Sequence, residues 1–244
     1  FRNFKHYYLF YVREHMRDLF PEQLSYNRFI ELEARVAVEM MLFLQVCCLG
    51  RCTGISFIDS TSIPVCHNKR ISRNKVFKEY ASIGKSTMGW YFGFKLHLTC
   101  NERGELVNFM FTKANVDDRD ERVLNRLSDN LFGKLFADKG YISQGLFERL
   151  YNDGINLVTG LRSNMKNKLI PLYDKILLRK RSVIETINDE LKNVAQLVHS
   201  RHRNVFNFDI NALSALAAYC FFEKKPAINV DFCIDRQGQQ LTLF

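Results

Sequence analysis

The sequence predicts an α/β fold with one central mixed sheet. Three observations lead there. Apolar runs of strand length recur between Ile55 and Thr159, and segments with helical spacing separate the later ones. Two alternating runs flank the turn-forming stretch Asn101, Glu102, Arg103 and Gly104, which reads as a hairpin. The order strand, hairpin, helix, strand, helix, strand, helix suits a sheet covered by helices rather than a bundle.

Each element has a local reason. Residues 1 to 50 read as helical, because Phe29, Leu32, Val36, Met40 and Phe43 recur at helical spacing. Pro21 and Ser25 serve as start signals and Gly50 as a stop. Arg2, Lys5, Arg13, Arg17, Arg28 and Arg35 make the segment basic. It is either an ordinary packing helix or the remnant of a DNA-binding module, and both readings stand at this point. The chain starts at Phe1 rather than Met, so a processed chain or a fragment without its true start is expected.

Ile55, Phe57 and Ile58 predict a short buried strand ending at Asp59. His67 to Lys78 is polar and basic and reads as a loop. Trp90 to Cys100 alternates large apolar residues with Lys95 and His97, and Leu106 to Thr112 alternates in turn. Asp117 to Asn130 predicts a helix with Val123, Leu124, Leu127 and Leu131 on one side. Lys134 to Ala137 predicts a strand that delivers Asp138. Ser143 to Asn152 reads as a helix capped by Ser143 and closed by Gly154, followed by a strand from Ile155 to Thr159. Residues 162 to 181 are basic and loosely patterned, carrying Arg162, Lys166, Lys168, Lys175, Arg179, Lys180 and Arg181. A long helix from Ser182 to Ser200 holds Glu185, and an apolar helix follows from Ile210 to Phe222. These elements divide the chain into a helical segment over 1–50, a catalytic domain over 51–226 and a tail over 227–244.

Composition narrows the function. The chain has 244 residues, 47% of them hydrophobic, enough for a substantial core, which excludes global disorder. A formal charge of +9 draws polyanions through phosphate attraction and counterion release. The seven cysteines include no C-x-x-C pair, so a disulfide scaffold is excluded. Cys47, Cys48, Cys52 and the Cys66–His67 pair lack the regular spacing of zinc ligands. Free thiols in a reducing cytoplasm are expected. The most apolar stretch, Val36 to Leu49, is interrupted by Glu39 and Gln45 and is too short to span a bilayer, so no membrane partner is expected.

Three acids stand out. Asp59 and Asp138 each end an apolar run, where α/β sheets place their ligands. Glu185 lies one turn into a long helix that can cross the same edge. Three carboxylates in one cleft repel one another unless cations neutralise them, and hard oxygen ligands suit Mg²⁺ or Mn²⁺. Two such ions can promote phosphodiester displacement without a covalent protein nucleophile. Taken singly, both aspartates also fit turns. Arg181 lies four residues before Glu185 and Lys192 seven after it, nearly on one face. A solvated salt-bridge stripe has the same spacing. Lys95 and His97 share a strand face, and His97 is read as structural.

The ordered set FIDST, GFKLHL, KANVDDR, FADKGY and R-x3-E-x6-K resembles the DDE transposases of bacterial insertion sequences, and in particular the insertion sequence 982 group. SYNRF at Ser25 to Phe29 and the late AYCFFEKKP extend the resemblance from about residue 20 to 226. It implies an RNase H-like core, with Asp59, Asp138 and Glu185 as a triad holding two Mg²⁺ or Mn²⁺ ions. Arg181 and Lys192 match the signature around the glutamate; where the wider pattern has a tyrosine three residues before the arginine, this chain has Leu178. The expected partners are DNA, as terminal inverted repeats and target, and a second copy of the chain. Arg181, Lys192, Lys139, Arg162, Lys166, Lys168 and Lys180 are expected to hold DNA backbone. The expected location is the bacterial cytoplasm, on the nucleoid when DNA-bound. The expected activity is phosphodiester hydrolysis at element ends followed by strand transfer. An RNase H-like endonuclease that cuts without joining, or an inactive DNA-binding relic of a mobile element, are the other readings of the same residues.

Overall fold

The computed structural model describes residues 3–161, 169–198 and 202–228. Helices α1 (Phe4–Tyr7) and α2 (Arg13–His15) are joined by a π-helical turn, Tyr8–Val12. After a loop containing Pro21, the Ser25 hydroxyl accepts a hydrogen bond from the Arg28 N–H at 3.2 Å and caps α3 (Tyr26–Glu33). Pro21 therefore starts no helix. Helix α4 (Ala37–Phe43) runs into a second π turn, Leu44–Cys48, and stops just before Gly50.

Strand β1 (Ile55–Cys66) is longer than its apolar run suggests: Asp59 lies inside it, not at its end. The cause is its antiparallel partner β3 (Gly89–Asn101), which stays paired with it from Ser56↔Asn101 to Cys66↔Phe92. The polar residues after Ile58 are thus strand residues, not a turn. On its other edge β1 pairs in parallel with β5 (Gly133–Ala137), over Ile55, Ser56 and Phe57 alone. Strand β6 (Ile155–Thr159) continues the parallel half.

The outer edge of β3 is shared. Strand β4 (Leu106–Lys113) forms the expected hairpin with residues 94–100, and the unforeseen β2 (Ser82–Ser86) pairs with residues 89–93. The strand β2 escaped sequence reading because SIGKS offers five residues and a single large apolar side chain. Three antiparallel strands (β4, β3, β1) followed by two parallel ones (β5, β6) give the mixed sheet of an RNase H-like core, as expected.

Two hydrophobic clusters cover the two faces. On one, Phe57, Ile63, Leu96, Leu98 and Phe136 pack with α8 (Ser182–Asn193) and α9 (Val205–Cys220). On the other, Ile58, Leu135 and Ala137 pack with α5 (Glu121–Ser128) and α6 (Gln144–Asn152). Strand alternation decides which side chain goes where.

Several boundaries differ from expectation. The Asp120 side chain accepts from the Arg122 N–H and starts α5 later than expected, so Asp117 and Asp118 belong to the loop before it. Within the basic segment, Leu172–Lys180 forms a helix, α7, seated on buried Asp174 and Leu177. Helix α8 ends at Asn193 rather than near 200, and α9 begins at Val205 because Asn204 caps it. The turn between β3 and β4 has Gly104 at φ +75°, and an added Cβ there would collide with the Pro226 carbonyl. Tyr219 Oη donates to the Gly104 carbonyl at 2.7 Å, tying α9 to this turn. The six described cysteines are free. Among the described residues no helix is long and apolar enough to cross a membrane.

Candidate active site

The site begins with a repeated local pattern, Phe-x-Asp. Phe57 and Phe136 are partners across the parallel β1–β5 pair, and their rings stack at 5.5 Å. Asp59 and Asp138 each follow two residues later. A period of two puts them on the same face as the phenylalanines. Asp59 lies inside β1 two residues past the last β1–β5 pair, and Asp138 directly follows β5, ahead of the 3-10 turn Lys139–Tyr141.

Helix α8 covers that face. Arg181 stands at the junction of α7 and α8, and residues 181, 185, 188 and 192 form one polar stripe along it. Ile184, Ile187 and Leu191 form its buried apolar side. Arg181 lies between two of the acids: Nη2 is 2.7 Å from Glu185 Oε1, and Nη1 is 3.8 Å from Asp59 Oδ1. The Nη1 group is buried without a hydrogen-bond acceptor. Asn188, which sequence reading passed over, donates from Nδ2 to Asp59 Oδ2 at 3.1 Å. Its signal was its place three residues after Glu185. Lys192 completes the stripe; burial lowers its pKa, against the pull of Asp189 and Asp59.

Electrostatics mark Asp59 as the strained member. Burial raises its pKa from 3.8 to about 6; Arg181 and the Ser60 N–H pull it down, and the Glu185 and Asp118 charges push it up. Tyr141 lies 3% exposed, with its hydroxyl unpaired. Burial raises its pKa well above the ordinary value, and Asp118, Asp59 and Asp138 add to the rise. The charges of Asp118, Asp59, Arg181 and Asp138 are thus all felt at one buried phenol.

Asp118 is a fourth acid that sequence reading missed. Lys95 Nζ donates to its Oδ1 at 3.0 Å and to the Val116 carbonyl at 2.8 Å. His97 Nδ1 is 3.6 Å from the same oxygen, while Nε2 pairs with the Thr112 hydroxyl at 2.8 Å. Burial lowers the His97 pKa to about 4, and Asp118 opposes this while Lys95 adds to it. His97 is a neutral buried residue that braces β3 to β4.

Asp138 is exposed, and the Glu185 side chain is 55% exposed while Arg181 holds it at 2.7 Å. The donors fit a hard divalent cation: all are carboxylates, and burial has raised the pKa of the most buried of them to about 6. Among the described residues, however, no group of three or more acids, histidines or cysteines is set closely enough to hold a metal. Arg181 is the counter-charge to Asp59 and Glu185 instead. Lys139 is exposed directly after Asp138, its stem running beside Gly160, and Lys180 is exposed in the last turn of α7. Arg162, Lys166 and Lys168 lie outside the described residues.

Comparison with known proteins gives three results. Among curated proteins none matches. Among solved structures, the chain is similar to piggyBac transposase in a synaptic complex with hairpin DNA, at 10% identity and TM-score 0.46, covering 75% of this chain and 51% of that one. It is also similar to a simian T-cell lymphotropic virus intasome bound to the PP2A regulatory subunit B56 gamma (14%, TM-score 0.38, 76% and 60%) and to the Mos1 mariner transposase catalytic domain (12%, TM-score 0.29, 83% and 98%). The chain thus spans about half of the piggyBac chain. Residues 49–205 match the family described as Transposase DDE domain, a stretch that holds Asp59, Asp138 and Glu185 and more than half of the sequence; the chain belongs to that family.

Proposed function

We propose that this protein is a transposase of an insertion sequence of the 982 type. It hydrolyses a phosphodiester at the element's end, and the freed 3′-hydroxyl then attacks a phosphodiester of target DNA, forming the new P–O bond as the target's own 3′-oxygen leaves. The observation that supports the reading is that Asp59 and Asp138 each follow, two residues on, the paired Phe57 and Phe136 of β1 and β5, and that Asn188 of the helix bearing Glu185 bonds Asp59. When bound, two Mg²⁺ or Mn²⁺ ions would supply the Lewis acidity that favours the attacking and leaving oxygens. Asp59, the innermost acid, would reach both ions, with Asp138 and Glu185 completing one each.

The chain's own groups do the rest. Asn188 fixes the orientation of the Asp59 carboxylate. Glu185 must leave Arg181 to serve a cation, and the released guanidinium then faces a DNA phosphate, for which its planar fork is suited. Lys192, Lys139 and Lys180, with Arg162, Lys166 and Lys168, would hold backbone on either side. Residues 51–226 are assigned to catalysis, 1–50 to the remnant of a DNA-binding module and 227–244 to a tail. Two copies would hold two element ends, in the cytoplasm of a bacterium and on its nucleoid.

A labelled element end incubated with Mn²⁺ and target plasmid tests this. Nicking followed by joined product is expected. Nicking without joining would leave a nuclease, and no metal-dependent nicking would overturn the reading.

A further inference from the structure

The β2–β3 hairpin carries features that neither the core nor the acids explain. It turns through Thr87 and Met88, with Gly89 at φ +113°. Met88 is 98% exposed and Trp90 62% exposed. Trp90 pairs directly across the hairpin with Lys85, whose ammonium lies 5.8 Å from the ring centre, and Ile83 shares their face. Burial of this much apolar surface elsewhere in the chain is routine; here it projects beyond the last β1–β3 partner pair, Cys66↔Phe92.

The surroundings are cationic. Asn68 Nδ2 donates to the Trp90 carbonyl at 2.7 Å, fastening the turn Asn68–Arg73 beside the ring. That turn and the loop after it expose Lys69, Arg70, Arg73, Lys75 and Lys78, against a single acid, Glu79. An exposed aromatic among phosphate-seeking cations fits nucleic acid: the cations hold backbone and the ring stacks on a base. A side chain such as Met88 at a projecting tip is suited to wedging between base steps.

The position relative to Asp59 fixes which DNA. Leu98, the partner of Asp59, is eight residues from Trp90 along β3, so both side chains occupy the same face. At about 3.4 Å per residue the separation is roughly 27 Å, or about eight base pairs of duplex.

We infer that the β2–β3 hairpin is a DNA-opening wedge, in which Trp90 stacks on an unstacked base about eight base pairs from the phosphate attacked at Asp59, and Met88 holds the step apart. This rests on the DNA-acting reading above, and the test separates the two.

Trp90 is the chain's only tryptophan, so its fluorescence reports on this site alone. The probes are a short duplex, the same duplex with one unpaired base, and the single strand, each with a remote dye for anisotropy. Expected are quenching of Trp90 emission on binding, greatest for the duplex with the unpaired base, and roughly tenfold weaker binding of that probe by Trp90→Ala with Trp90→Phe in between. Both variants change an exposed side chain, and unchanged melting shows that they fold. Binding seen by anisotropy with unaltered Trp90 emission overturns the wedge and leaves the transposase reading standing. Absence of all DNA binding overturns both. Equal binding of all three probes by Trp90→Ala and the unmodified chain also overturns the wedge.

Discussion

The two faces of the central sheet treat their acids differently. On the α5 face, Asp118 is gripped by Lys95 at 3.0 Å beside a buried neutral His97, and every partner belongs to the fold. On the α8 face, Asp59 has an amide at 3.1 Å and a guanidinium at 3.8 Å whose Nη1 is itself unsatisfied. Each cluster leaves one buried nitrogen without a hydrogen-bond partner, His97 Nδ1 and Arg181 Nη1, but only the first is closed by a cation within hydrogen-bond distance of its acid. The difference teaches that proximity of charges does not mark a site; an electrostatic need left open after folding does.

Four experiments can break or sharpen that contrast. The largest effect is expected for Asp59→Asn or Asp138→Asn, which should reduce metal-dependent nicking on the order of 10³-fold or more with the circular dichroism of the fold retained. Retained nicking would put the reactive centre elsewhere. Next, Lys95→Met removes the partner of a partly screened Asp118 and the donor to Val116, and should cost about 1–3 kcal/mol in urea unfolding. A neutral result would show the closed cluster to be dispensable.

The third effect has the opposite sign. Because the folded pKa of Asp59 is raised from 3.8 to about 6, the folded state holds that proton more tightly than the unfolded state does. The resulting destabilisation is absent below about pH 4 and complete above about pH 6. Its ceiling is about 3 kcal/mol, from roughly two pKa units. Without metal, Asp59→Asn should therefore be more stable than the unmodified chain at pH 7 by about 1–2 kcal/mol, allowing for the partner Arg181 loses, and the gap should close as pH falls to 4. Mn²⁺ should raise the melting temperature of the unmodified chain and not of the variant. The smallest effect is expected for Lys192→Ala: one phosphate contact fewer lowers the salt slope of DNA binding by about 1. An unchanged slope would leave Lys192 as a packing residue.

Much of this was legible from residue order. The apolar runs before Asp59 and Asp138 and the helical phase around Glu185 singled out the three acids, because alternation and helix period are local properties, and the family resemblance proposed them as a triad. The closed cluster was not legible in the same way. Asp118 looked like a helix residue, and only the Asp120 cap, which starts α5 later, frees it to meet Lys95 from another strand. Likewise the sequence pattern ends β1 at Asp59, since its continuation depends on pairing with β3, from Ser60↔His97 to Cys66↔Phe92, far along the chain. Asn188 was overlooked because its role exists only once α8 lies over β1.

The unequal pairing of β1 has a further result. Its partner on one edge runs along nearly the whole strand, and its partner on the other departs after Phe57. Under the proposed reading, a coordinating side chain at position 59 stands within a paired strand and inherits the rigidity of the sheet. Amide hydrogen exchange should record this as slow turnover along the β3 side of Asp59, even before cation or DNA is added.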